Sequence, residues 1–106
     1  MLVVCNRIPV NPDHAEAFEE RFTQREGLVD QMEGFISFQI LRPTAPDQPY
    51  VVMTFWQDRA AFEAWTSSDA FQKQHRNSGT LPKDAFLGHP QIEISEVIQQ
   101  TETESE

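Results

Sequence analysis

His75, Trp65 and Asn6 are the residues of this chain whose types suit work on a bound ligand. A neutral imidazole such as His75 can ligate a metal ion or a haem iron. The plainer reading of a lone histidine is a surface or capping residue. No second His, Cys or carboxylate stands at zinc-type spacing, so a structural zinc is not expected. A haem iron needs one protein ligand on its proximal side, which one histidine satisfies. Asn6 falls on the same strand face as Leu2, Val4 and Ile8. An amide on an apolar stripe is costly unless it is hydrogen-bonded, either to a ligand or to neighbouring backbone. Trp65 reads first as a core aromatic whose indole N–H needs a partner.

These residues need a frame, and the stretch Asp58–His75 supplies most of it. Asp58 suits a helix N-cap, because its carboxylate accepts from free first-turn amides. Ala61, Phe62 and Trp65 recur at helical spacing and form one apolar face. Thr66-Ser67-Ser68-Asp69 interrupts the pattern with side chains that compete for backbone hydrogen bonds. A second helix starts there, with Phe71 and His75 four apart on one face. In a single straight helix Trp65 and His75 would stand about 15 Å apart along the axis, on different faces. A bend at Ser67–Asp69 lets an indole and an imidazole look into one cavity.

Leu2–Val10 reads as a strand, with Val3, Cys5 and Arg7 on the face opposite Asn6. Cys5 is most simply a small buried hydrophobe. Asn11-Pro12-Asp13 is a turn and helix start. The spacing predicts a helix from about Asp13 to Met32, lined by Ala15, Phe18, Phe22, Val29 and Met32. Glu16, Glu19, Glu20 and Arg21 face water on its other side, and Gly27 marks a weak point. After a stop at Gly34, strands are expected over Phe35–Arg42 and Tyr50–Trp56, joined by the proline-rich turn Pro43–Pro49. Ile36, Phe38 and Ile40 are read on one face of the earlier strand, Phe35 and Leu41 on the other. The later strand is apolar on both faces, so each side of the sheet needs cover, and a second copy of the chain is expected on one of them. Asn77–Pro90 is a loop in which Leu81, Phe86 and Leu87 are apolar enough to pack over something. Gln91–Ile98 is the last strand.

The order strand, helix, strand, strand, helix pair, strand is that of an α+β ferredoxin-like sandwich (β-α-β-β-α-β). Two such sheets packed face to face make a dimeric α/β barrel. Residues 1–98 are expected as one domain, with 99–106 an acidic disordered tail carrying Glu102, Glu104 and Glu106. The net charge of −9 over 106 residues, with no Lys/Arg cluster, argues against nucleic acid. The single cysteine rules out an internal disulfide and fits a reducing compartment. No segment has membrane-spanning length and the N-terminus lacks a signal-peptide pattern, so a soluble cytoplasmic protein is expected, and the two-faced apolar sheet makes it a homodimer. Phosphate-binding glycine loops, serine-nucleophile motifs and dinucleotide fingerprints are missing from the sequence.

The N-terminal Cys-Asn-Arg-Ile-Pro-Val strand, the Phe-Glu-Ala-Trp-Thr-Ser-Ser-Asp-Ala-Phe segment and the later His resemble the antibiotic biosynthesis monooxygenase superfamily. Within it they look most like the IsdG-type haem-degrading monooxygenases. The resemblance runs from Leu2 to about Ile98. It rests on an Asn on the first strand, a Trp on the second helical segment and a His ten residues later. It implies a dimeric ferredoxin-like protein with one haem per subunit, serving as both cofactor and substrate. His75 would be the axial iron ligand. Asn6 would hydrogen-bond to oxygen on the iron or to another ligand facing the ring, and Trp65 would press the porphyrin out of plane. Phe22, Phe71 and Arg76 would complete the cofactor site, with Lys73, Arg76 and Lys83 the nearby cations for two propionates. An external electron donor and oxygen then open the ring and free the iron. The superfamily also holds cofactor-independent monooxygenases of small aromatic, quinol-type substrates, and members without known activity. A non-catalytic dimeric binding protein is therefore a further alternative.

Overall fold

Alternation in the strands and capping in the helices account for nearly every element of the computed structural model, which describes residues 1–23, 27–76 and 81–102. Four strands form one antiparallel sheet: β1 (Leu2–Ile8), β2 (Phe35–Leu41), β3 (Tyr50–Trp56) and β4 (Gln91–Glu96), in the order β2-β3-β1-β4. Three helices, α1 (Ala15–Thr23), α2 (Arg59–Thr66) and α3 (Asp69–Arg76), join them. This is the ferredoxin-like arrangement, and the sheet stays open, with β2 and β4 as edges.

Residues directly opposite in an antiparallel ladder share a face. Leu2 faces Trp56, Val4 faces Thr54 and Ile94, Asn6 faces Val52 and Ile92, and Ile8 faces Tyr50. The described helices pack on this face, over two apolar clusters. Leu2, Val4, Val29, Trp56 and Trp65 form the first, with Ala61 and Phe62 of α2 and Ala70 and Phe71 of α3 against it. Ile8, Phe18 and Tyr50 form the second, with Ala15 and Phe22 of α1, Val52 and Leu81.

The predicted helix Asp13–Met32 is shorter and broken. Asn11 caps a 3-10 turn, Pro12–His14, by accepting from the Asp13 amide at 3.0 Å, and α1 continues as far as Thr23. Gly27 then sits at φ 69°, a left-handed conformation that interrupts helical geometry, before a second 3-10 turn, Leu28–Gln31. The apolar residues expected on that helix still reach the core, because the two pieces each bury their own.

Strand β2 also corrects the sequence reading. A bulge between Phe35 and Ser37 moves Phe35 to the Trp56 side, where it meets Trp56 edge to face at 5.6 Å. Ile36 is left on the other face, 44 % exposed. Glu19, expected to face water, instead accepts from Arg42 Nε at 2.8 Å and from the Tyr50 hydroxyl, so it ties α1 to the sheet. The Arg42 hydrogen bond first, and the Tyr50 hydrogen bond second, hold its carboxyl at about 2 instead of 4.5. Burial pushes Tyr50 up, with the Glu19 hydrogen bond adding to it. Arg21 is half-buried as well, and that burial lowers its pKa. The last strand ends at Glu96, one backbone bond from Val97 N to Met1 O continuing it.

Candidate functional site

Asn6 occupies the gap between the two clusters. Val4, one same-face step before it on β1, belongs to the first cluster; Ile8, one step after, belongs to the second. Its amide oxygen Oδ1 is buried and has no hydrogen-bond partner among the described residues. An unmet buried polar group costs about 1–3 kcal/mol. A half-turn of the amide about its last side-chain bond presents the NH2 donor in the same place. Ile92 and Ile94 of β4 stand beside Asn6 and Val4 on the same face, yet are 63 % and 38 % exposed. Position 6 is therefore an unsatisfied amide bordered by an uncovered apolar strip.

Trp65 sits in the first cluster and is buried. Its local frame is the capped helix pair read from the sequence. Asp58 caps α2 by accepting from the Ala61 amide at 2.9 Å. The chain then turns at Ser67–Ser68, with Ser67 N donating to Glu63 O at 3.1 Å and Ser68 N to Trp65 O at 3.0 Å. The bend brings Phe71 of α3 edge-on to Trp65, ring centroids 5.4 Å apart and planes at 89°. Gly34 lets the same region close: at φ 84° its missing Cβ would lie 2.4 Å from Ala61 Cβ.

Residue 75 lies in the last turn of α3, one turn beyond Phe71. The side chains of His75 and Arg76 lie outside the described residues, as does the loop 77–80. Phe22 packs on the second cluster and stands 6.3 Å from the Phe38 ring, which itself packs on the first cluster. Asn6, Trp65, Phe71 and Phe22 thus all lie on the helix-facing side of the sheet. From the sequence Ile92 and Ile94 are simply apolar residues of the last strand; alternation along Gln91–Glu96 places them on the Asn6 face once the β1–β4 register is known.

The loop whose apolar residues are expected to pack over something docks locally over its described part. Leu81 joins the second cluster, and Phe86 lies edge-on to Phe18 at 6.4 Å. Asn11 N donates to Ala85 O at 2.7 Å, Leu87 N to Pro9 O at 2.8 Å, and Asn11 Nδ2 to Asp84 O at 3.0 Å. The segment is stitched to the end of β1. Leu87, read as a packing residue, is 66 % exposed. Two surface depressions lie elsewhere: one at Glu16, Glu19, Glu20, Thr23 and Arg42, the other on the open sheet face around Ile36, Phe55 and Val97.

The sheet order defines an α+β sandwich that carries a buried, unpartnered amide oxygen on its first strand. The chain belongs to the antibiotic biosynthesis monooxygenase family, whose model matches residues 1–77. It is 38% identical over 79 residues to a staphylobilin-producing haem oxygenase of Staphylococcus haemolyticus, covering 73% of this chain and 75% of that protein. In structure it is similar to the haem-degrader MhuD of Mycobacterium tuberculosis, which carries two haems in its active site. The TM-score is 0.77 at 28% identity, over 96% of this chain and 100% of that one. The cofactor-independent oxygenase SnoaB of Streptomyces nogalater shares the fold, with a TM-score of 0.71 at 21% identity over 93% of this chain and 94% of that one.

Proposed function

We propose that this protein is a haem-degrading monooxygenase, in which haem is both cofactor and substrate. The observation that carries the reading is the unpartnered Asn6 oxygen, buried beside the Trp65 cluster. It stands in a chain 38% identical to a haem oxygenase. The residue types present suit a flat apolar ring: Trp65, Phe71, Phe22, Ile92 and Ile94 would give it aromatic and aliphatic walls on the helix-facing side, and Asn6 one polar group to fix orientation. Haem supplies the iron that activates oxygen and the ring that is opened.

The protein's part is binding, orientation and exclusion of water. His75, on the last turn of α3, would be the protein ligand of the iron. Trp65, buried in the first cluster, would give a bound ring an apolar wall to press against. Asn6 would offer a bound ligand its amide, whose buried oxygen has no partner among the described residues. Phe22 and Phe71 frame the ring, and Arg76 answers a propionate. Electrons come from an external donor, since the sequence carries no nucleotide-binding motif of its own.

A homodimer belongs to the same proposal. The sheet face away from the helices carries Val3, Cys5, Val51, Met53 and Phe55, with Ile36 and Leu41 exposed on it. A second copy is the cover for that face. No helix among the described residues is long and apolar enough to cross a membrane. Free Cys5 fits a cytoplasmic, reducing setting.

The test is a hemin titration followed by absorbance. Wild-type protein should gain a Soret band and His75→Ala should lose it or weaken it sharply. Unchanged binding in that variant removes His75 from the site. Oxygen uptake with a quinol and no metal, in protein that ignores hemin, would favour a cofactor-independent oxygenase instead.

A further inference from the structure

We propose that Ser68 is a positioning residue for the ligand site, because its single hydroxyl fixes the backbones of both rings in the Trp65–Phe71 pair. Ser68 Oγ donates to Trp65 O at 2.6 Å and accepts from Phe71 N at 3.1 Å. A hydroxyl has one donor proton and two acceptor lone pairs, so both bonds form at once.

An ordinary N-cap only accepts. Phe71 N lies in the first turn of α3, where no α3 carbonyl can serve it, and Trp65 O lies in the last turn of α2, where it also accepts from Ser68 N at 3.0 Å. The Ser68 hydroxyl bonds to both. The two groups it joins belong to the two aromatic residues that meet at 5.4 Å and 89°. Their relative setting is thus held at the backbone as well as by ring contact. The same link sets the direction in which α3 leaves the bend, and α3 carries residue 75 one turn beyond Phe71. In the haem reading, on which this inference rests for its ligand, Ser68 fixes where the iron ligand stands relative to the Trp65 wall. It touches no reacting atom.

Three substitutions separate positioning from mere capping. Ser68→Ala removes both bonds. Ser68→Thr keeps both. Ser68→Asp caps α3 about as well as serine, but its side chain has no proton to donate to Trp65 O, which keeps only the bond from the backbone N–H of residue 68. The readouts are near-ultraviolet circular dichroism of the ligand-free protein and hemin affinity, with urea unfolding as the check on folding. Ser68→Thr should match wild type throughout. Ser68→Asp should still unfold in one cooperative urea transition yet show a weakened Trp65 contribution to the near-ultraviolet signal. It should also bind hemin roughly tenfold more weakly, the size of one lost hydrogen bond of this kind. A Ser68→Asp protein with the wild-type near-ultraviolet spectrum reduces Ser68 to a helix cap and overturns the proposal. If wild type itself takes up no hemin, the haem reading fails alone, and the ligand-free spectra still decide the role of Ser68. Should Ser68→Ala fail to fold, the Asp and Thr variants carry the test.

Discussion

Two neighbouring regions on the helix-facing side of the sheet are built on opposite terms. Around Trp56, which is 0 % exposed, everything is met: its indole N–H donates to Thr54 Oγ1 at 2.9 Å, and Phe35 and Phe62 meet its ring edge to face. Around Asn6 the strand keeps an amide oxygen buried and unpaired, next to apolar residues that nothing described covers. A leucine at position 6 would complete the Leu2–Val4–Ile8 stripe. That an amide stands there instead separates a region assembled for stability from one that, in the proposed function, is left open for a ligand.

The sharpest break in that comparison is Trp56→Ala. It empties the best-packed site and should cost about 3–5 kcal/mol in urea unfolding, enough to leave little folded protein. Gly34→Ala comes next. It combines a left-handed backbone at φ 84° with a Cβ contact of 2.4 Å, and should cost about 1–3 kcal/mol. Adding Ala61→Gly should return the steric part of that loss and leave the backbone part.

Asn6→Leu should move the other way. Removing an unmet polar group from an apolar face leaves stability unchanged or raises it by about 1 kcal/mol, read as the urea midpoint. A loss of several kcal/mol there would show that the amide is structural. The smallest effect belongs to Glu19→Gln. Because the Glu19 carboxyl titrates at about 2 rather than 4.5, its contribution is complete above pH 4.5 and fades as pH falls toward 2. The glutamine variant should therefore lose less stability than wild type over that interval in an acid titration monitored by circular dichroism.

Legibility in the sequence divides along the same line, between what a residue does to its own neighbours and what distant elements bring to it. Asp58 as a cap, the break at Ser67–Asp69 and the β-α-β-β-α-β order are local signals, carried by side chains that bond their own backbone. The early end of the first helix is partly visible in Gly27, but the left-handed conformation there depends on how the next 3-10 turn packs. The bulge at Phe35–Ser37 is not visible, because alternation assumes an unbroken strand and one extra residue reverses which side Phe35 takes. Glu19 reads as a solvated acid until β2 and β3 bring Arg42 and Tyr50 to it. At the site, Asn6 and Trp65 can be named from type and face. Ile92 and Ile94 need the β1–β4 register, since an edge strand of alternating Ile and Glu does not reveal which face is open.

The central claim is that the amide on β1 serves a bound haem and not the core. The direct measurement is the rate at which the Soret band of the hemin-loaded protein decays once reductant and air are admitted, for wild type beside Asn6→Leu. Wild type should consume its Soret band. Asn6→Leu should be at least as stable to urea yet decay about tenfold more slowly or worse, as expected for one lost ligand-facing hydrogen bond. Equal decay in the two proteins, or a wild-type band that persists, would contradict the account.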